Sequence, residues 1–158
     1  MSFASQNLEE RTTALRYLEE RFGIPPGVFQ NHQLVLRGEY LCAFREEGAE
    51  LVESLSVVQA GLKLVKLTGS GGCKPSTRGM QVFGRYATRN VVDLSDSDLR
   101  GLVEGRSLPG HTGKGFVLLR HRGLIAGVGL VRDEQLVSQL PRAVTMHLKL
   151  PALPPAGP

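Results

Sequence analysis

Lys63, Lys66, Lys74, Arg78, Arg85 and Arg89 stand in a stretch with no acidic residue between Glu53 and Asp93. Their chemistry is the binding of a polyanion, because phosphates favour clustered Lys and Arg and shed counterions when bound. An ordinary globular surface mixes both signs. The plainer reading is a solvated basic face with no partner. The imbalance runs further along the chain. Residues 1–60 carry five Lys/Arg against nine Asp/Glu, and residues 61–158 carry fourteen against six. The net charge of +4 thus conceals an acidic part and a basic part, which points to different tasks for the two.

Spacing argues against other chemistry. His32, His111, His121 and His147 are scattered, and Cys42 and Cys73 have no neighbour at ligand spacing, so no metal site is expected. His111, in a glycine-rich loop, reads as solvent-exposed. Cys42 lies in an apolar run and reads as core. Two such cysteines suit a reducing, cytoplasmic setting. The glycine-rich segment TGSGGCKP (68–75) lacks the order of a Walker phosphate loop and the spacing of a dinucleotide fingerprint. No Gly-x-Ser-x-Gly elbow occurs. Glu9-Glu10 and Glu19-Glu20 read as solvated helix charge. With no acid, base and nucleophile to assemble and no cofactor motif, catalysis is not expected. No apolar run reaches the ~18–20 residues of a membrane span.

These side chains need elements to position them. The spacing predicts a helix over 7–22 with Leu8, Leu15, Leu18 and Phe22 on one face. Gly23 and Pro25-Pro26-Gly27 end it, and Phe29 packs back. Residues 33–37 and 39–45 read as a strand pair turning at Gly38-Glu39. Residues 47–55 read as a short helix and 57–67 as a strand. Simple alternation puts Lys66 with Leu62 and Leu64 on one side and Lys63 with Val65 on the other. Lysines at or near a sheet edge would guard against aggregation. Residues 68–75 read as a flexible connector. Ser76 caps a helix through Met80, Val82, Phe83 and Tyr86 that offers Arg78 and Arg85, two turns apart, on one face.

Asn90 to Asp93 reads as a short strand. Ser95 caps a helix through Leu99, Leu102 and Val103, and Gly105 ends it. Residues 106–115 form a turn-rich loop with Arg106, His111 and Lys114. Residues 116–120 and 124–131 pair across His121-Arg122-Gly123. Strands at 135–137, after an Asp133-Glu134 turn, and at 143–149 follow. Gly127 and Gly129 inside a strand imply a bulge or tight corner, or else the close approach of another backbone. The tail PALPPAGP reads as disordered.

The order of Gly61-Leu62, Lys74-Pro75-Ser76-Thr77, Asn90-Val91-Val92-Asp93-Leu94, Gly115, Gly123, Ala126-Gly127-Val128-Gly129 and Leu140-Pro141-Arg142 resembles one known family. It is the C-terminal RNA-binding region of the Sun/Fmu group of ribosomal RNA 5-cytosine methyltransferases, the small-subunit methyltransferase F-like enzymes. That region ends in a PUA-like domain. The likeness covers most of residues 55–148. The family's catalytic cysteine that follows proline has no counterpart, since Cys42 follows Leu41 and Cys73 follows Gly72. Leu130 stands where the family often has Lys, and Leu140 where it has an aromatic residue. The resemblance implies an α+β protein: a small N-terminal α/β element over 1–86, a PUA-like mixed β-barrel over 87–150, and a tail over 151–158. It implies non-catalytic RNA binding, of structured rRNA, in ribosome biogenesis or rRNA modification. The contacts then fall to Lys63, Lys66, Lys74, Arg78, Arg85, Arg89, Lys114, Arg120, Arg122 and Arg142. The rival readings are a protein-interaction module that docks a methyltransferase or ribosomal protein, and an enzyme of small substrates.

Overall fold

The computed structural model describes residues 3–45 and 61–145. The helix expected at 47–55, the start of the strand expected at 57–67, and the tail lie outside these residues. Helix α1 (Phe3–Phe22) buries Ala14, Leu18 and Phe22 completely, an i, i+4 row. Leu8 was expected on that face. It is 64% exposed and lies six residues before Ala14, the first fully buried position among the helix's described residues. Gly23, at φ +69°, ends the helix and donates to the Glu19 carbonyl. A single 3-10 turn then brings Phe29 back into the core, as expected.

The first sheet has the order β1-β2-β3-β4. It comprises β1 (His32–Arg37), β2 (Tyr40–Arg45), β3 (Leu62–Leu67) and β4 (Cys73–Pro75), all antiparallel. The β1–β2 hairpin turns at Gly38-Glu39, with Gly38 at φ +57°. Two expectations fail here. β3 is an interior strand, so its lysines do not guard an edge. The stretch 68–75 is not only a connector, since its end pairs with β3.

Helix α2 (Thr77–Phe83) follows Ser76, whose Oγ accepts from the Gly79 amide at 2.9 Å and donates to the Lys63 carbonyl. One side chain thus caps the helix and fastens it to β3. A 3-10 turn (Gly84–Tyr86) replaces the rest of the expected helix. Met80 and Phe83 are buried, whereas Val82 and Tyr86 stay exposed.

The second sheet is a curled half-barrel of order β5-β7-β8-β9-β6. Its strands are β5 (Val91–Asp93), β6 (Leu108–Pro109), β7 (Gly115–His121), β8 (Leu124–Arg132) and β9 (Gln135–Ser138). Only β5 and β7 pair in parallel. Helix α3 (Asp96–Val103) makes the crossover between them. It begins in a full capping box of Ser95 and Asp98. The β7–β8 hairpin turns at Arg122-Gly123 and the β8–β9 hairpin at Asp133-Glu134, each pair at positive φ. The strand expected at 143–149 is not one as far as it is described: Arg142–Thr145 is a helical turn, α4.

The two glycines of β8 serve side-chain packing. A β-carbon on Gly129 would lie 2.7 Å from Leu136 and 2.9 Å from Leu119, and one on Gly127 would collide with Leu140. A bulge does occur beside them, at Ala126, where the β7–β8 register skips one residue.

The core has two compartments, and β7 is their common wall. Leu118 and Val128 join α1, the first sheet and α2 in one cluster. Val117 and Leu119 point the other way, to Leu94, Leu102, Val131 and Leu136 under α3.

Candidate nucleic-acid interface

The β2–β3 register jumps between Leu41↔Val65 and Cys42↔Lys63, which leaves Leu64 as an extra residue. The bulge breaks simple alternation. Leu64 and Val65 both point into the core and are fully buried. Lys63 and Lys66 then share the outer face with Tyr40, rather than lying on opposite sides as alternation implied. Their ammonium groups stand 4.2 and 5.9 Å from the centre of the Tyr40 ring. Lys74 is the register partner of Lys66 and extends the same face. Arg37 is the partner of Tyr40 across the hairpin, and its guanidinium lies 5.4 Å from the Phe44 ring.

Beside this face opens a cleft of about 1130 Å³, lined by Arg37, Tyr40, Lys63, Thr77, Arg78 and Pro141 among others. It lies where the first sheet, the start of α2 and the segment after the half-barrel meet. No Asp or Glu lines it among the described residues. Its floor includes Cys42, whose thiol is pushed up by burial, against a smaller opposing pull from Lys63 and Arg37.

The expected cations divide by what already holds them. Lys66 is paired to Glu39 at 3.1 Å. Arg120 grips Asp93 through two hydrogen bonds of 2.6 and 2.7 Å. Arg122 bonds Asp96 at 2.7 Å. Arg85 donates to the Tyr86 hydroxyl, and it sits in the 3-10 turn, not on a helix face shared with Arg78. Arg89 donates to the Glu19 carbonyl at 2.8 Å. The Arg89 and Thr88 amides and the Asn90 side chain take the neighbouring carbonyls of Phe22 and Arg21. Arg89 is therefore part of the C-terminal cap of α1. Lys63, Lys74, Arg78, Lys114 and Arg142 remain, with no ion pair among the described residues. Lys63 and Arg78 meet at the cleft, whereas Arg142 only adjoins the lining residue Pro141 in sequence. Lys114, in the loop before β7, is not among the cleft residues. Sequence reasoning missed Arg37 and Tyr40. Both lie outside the carboxylate-free stretch, and their one signal was their pairing across the expected Gly38-Glu39 turn.

The ion pairs on the half-barrel have a pH consequence. Arg120 holds the Asp93 carboxyl below its ordinary value of 3.8, and His121 with Arg122 does the same for Asp96. Carboxylates with lowered values stabilise the fold at all pH above 3.8, and that contribution is lost as pH falls through the lowered values. The substitution Asp93→Asn, whose partner Arg120 stays charged throughout, is expected to lower the urea midpoint by a constant amount from neutral pH down to that value. Below it the difference from the unsubstituted protein closes. A gap that stays constant into strong acid would show that the pair adds nothing.

Among the described residues no cluster of His, Cys, Asp or Glu could hold a metal ion, and no helix is long and apolar enough to cross a membrane.

A mixed half-barrel with a parallel first strand and a crossover helix, packed on a small α+β element, is a PUA-like architecture. Residues 89–146 match the family model of the methyltransferase RsmF PUA domain. The chain is also similar to the ribosomal RNA small subunit methyltransferase F of Psychromonas ingrahamii, 28% identical over 115 residues. That alignment covers 69% of this chain and 24% of the relative, so the chain spans about a quarter of the relative's length. The likeness to the PUA-bearing region of the Sun/Fmu methyltransferases, expected from scattered short motifs, is thus met by the comparisons.

Proposed function

We propose that this chain binds RNA without catalysing a reaction, and that its ligand is folded ribosomal RNA during rRNA modification or ribosome maturation in the cytoplasm. One observation carries the reading: Lys63 and Arg78 meet Arg37 at a cleft with no carboxylate among its described lining residues, in a chain whose second half matches the PUA domain of an rRNA methyltransferase. Lys63 and Arg78, which form no ion pair among the described residues, meet phosphate without first giving up an acidic partner. Lys63, Lys74, Arg78 and Arg142 form the main contact, and Lys114 adds a second point. Arg120 and Arg122, each bound to an aspartate, contribute less.

The test is the salt dependence of binding to a stem-loop RNA. Each phosphate neutralised contributes a slope of roughly 0.7 to 0.9 in log affinity against log salt. The triple substitution Lys63→Ala, Lys74→Ala, Arg78→Ala is expected to reduce the slope by about 2 and leave the thermal midpoint in place. Arg120→Ala with Arg122→Ala should change the slope by less. Equal slopes for the triple variant and the unsubstituted chain would remove the cleft from the interface.

A second reading has an observation of its own. Leu8 and Leu124 are 64% and 76% exposed, which favours an added protein contact with a methyltransferase or a ribosomal protein.

A further inference from the structure

The cleft is too wide and too mixed in character for a phosphate alone. Its volume, about 1130 Å³, exceeds what one phosphate fills. Its wall combines two unlike surfaces: the Tyr40 ring on β2, and the cations Lys63 and Arg78. The floor beside the ring is apolar, with Leu62 and Cys42. A phosphate needs only the cations. A flat heteroaromatic ring joined to a phosphate needs both surfaces side by side, and an unpaired nucleotide is such a ligand.

The position of Lys63 supports this. Its ammonium rests 4.2 Å from the centre of the Tyr40 ring, and no hydrogen bond from that ammonium is formed among the described residues. A cation over a half-buried ring is held only weakly. A phosphate offers a full negative charge instead. The flexible lysine stem can swing the ammonium to it, which uncovers the ring for a base. Arg78, at the start of α2, has no carboxylate partner among the described residues and faces the same space. Ser76 pins that helix to the carbonyl of Lys63 itself, so the two cations are held in register by one hydroxyl.

We propose that this cleft is a subsite for one unpaired nucleotide of a bound RNA, its base laid on Tyr40 and its phosphate held by Lys63 and Arg78. The proposal rests on the RNA-binding reading above and adds a preference that reading does not contain: a strand with a nucleotide free to leave the stack is favoured over a fully paired one.

The experiment compares two RNA hairpins with the same stem, one fully paired and one with a single bulged nucleotide, by fluorescence anisotropy at fixed salt. The unsubstituted chain should bind the bulged hairpin roughly ten-fold more tightly, the scale of one base–aromatic stack. Tyr40→Ala should erase that difference. Tyr40→Phe should keep it, since the ring is what stacks. Far-UV circular dichroism and the thermal midpoint confirm that each variant is folded. Equal affinity of the unsubstituted chain for both hairpins overturns the subsite and leaves the RNA-binding reading standing. So does a Tyr40→Ala variant that still prefers the bulge. Failure to bind either hairpin overturns both.

Discussion

Leu118→Ala is expected to destabilise the whole chain by about 3–4 kcal/mol, within the range for emptying a buried leucine site. Leu118 has no exposed surface. It sits in one cluster with Leu18 and Phe22 of α1, Leu41 and Leu64 of the first sheet, and Met80 of α2. It belongs to the half-barrel by sequence and to the first sheet's core by contact. Polar stitches cross the same seam: Arg21 of α1 donates to the Phe116 carbonyl at 2.8 Å, and Gln81 of α2 to the Ala126 carbonyl at 2.9 Å. A cavity at Leu118 therefore has no local remedy, and both parts lose stability together. In urea the variant should unfold in a single transition at a lower midpoint. Native-state hydrogen exchange should show β2 and β8 amides losing protection by the same free energy. If β2 keeps its full protection while β8 loses its own, the two parts have independent cores and this account of the seam is wrong.

How far the sequence reveals such a seam depends on the type of signal. Local signals carried well. The caps at Ser76 and Ser95, the turns at Gly38-Glu39 and Arg122-Gly123, and the helix stops at Gly23 and Gly105 all rest on backbone chemistry within a few residues. Signals that depend on a partner strand carried poorly. Nothing between Leu62 and Leu67 announces that Leu64 is a bulge, because a bulge is defined by pairing with β2. Without it, Lys63 and Lys66 fall on opposite faces. The same holds for Leu8, whose spacing fits the apolar row but which stays exposed. At 143–145 alternation suggested a strand, and Pro141 opens a helical turn instead.

The candidate site shows the same divide. A stretch free of acidic residues was a sound indicator of cations, but not of which cations are available. Glu39, Asp93 and Asp96 are outside that stretch or at its end, and the fold brings Glu39 to Lys66, Asp93 to Arg120 and Asp96 to Arg122. Arg89 is drawn to the end of α1, sixty-odd residues earlier in sequence, by backbone carbonyls that no charge count registers. Arg37 and Tyr40 were outside the stretch and were passed over. What remained legible was the pair at the cleft, Lys63 and Arg78.

Gly79→Val should disturb that pair without removing any charge. Gly79 is buried on α2. A β-carbon there would lie 2.6 Å from the Lys63 carbonyl oxygen and 2.9 Å from the Leu64 α-carbon. Both are main-chain atoms of an interior strand, held on either side by β2 and β4, so they cannot move aside as a side-chain tip can. The helix must move instead. Overpacking of this kind costs roughly 1–3 kcal/mol. Lifting α2 also strains the Ser76 cap, which accepts from the Gly79 amide itself, and loss of such a cap costs about 1 kcal/mol more. A total of about 2–4 kcal/mol follows. Binding should weaken along with stability, because α2 carries Arg78 and Ser76 sets its distance from Lys63. The measurement is a urea titration together with RNA anisotropy at a temperature where the variant is still folded. The expected result is a lower midpoint and a shallower salt slope, although every Lys and Arg is still present. A folded Gly79→Val protein with an unaltered slope would mean that Arg78 meets phosphate independently of the way α2 is seated on β3, and that the cleft is not the unit that binds.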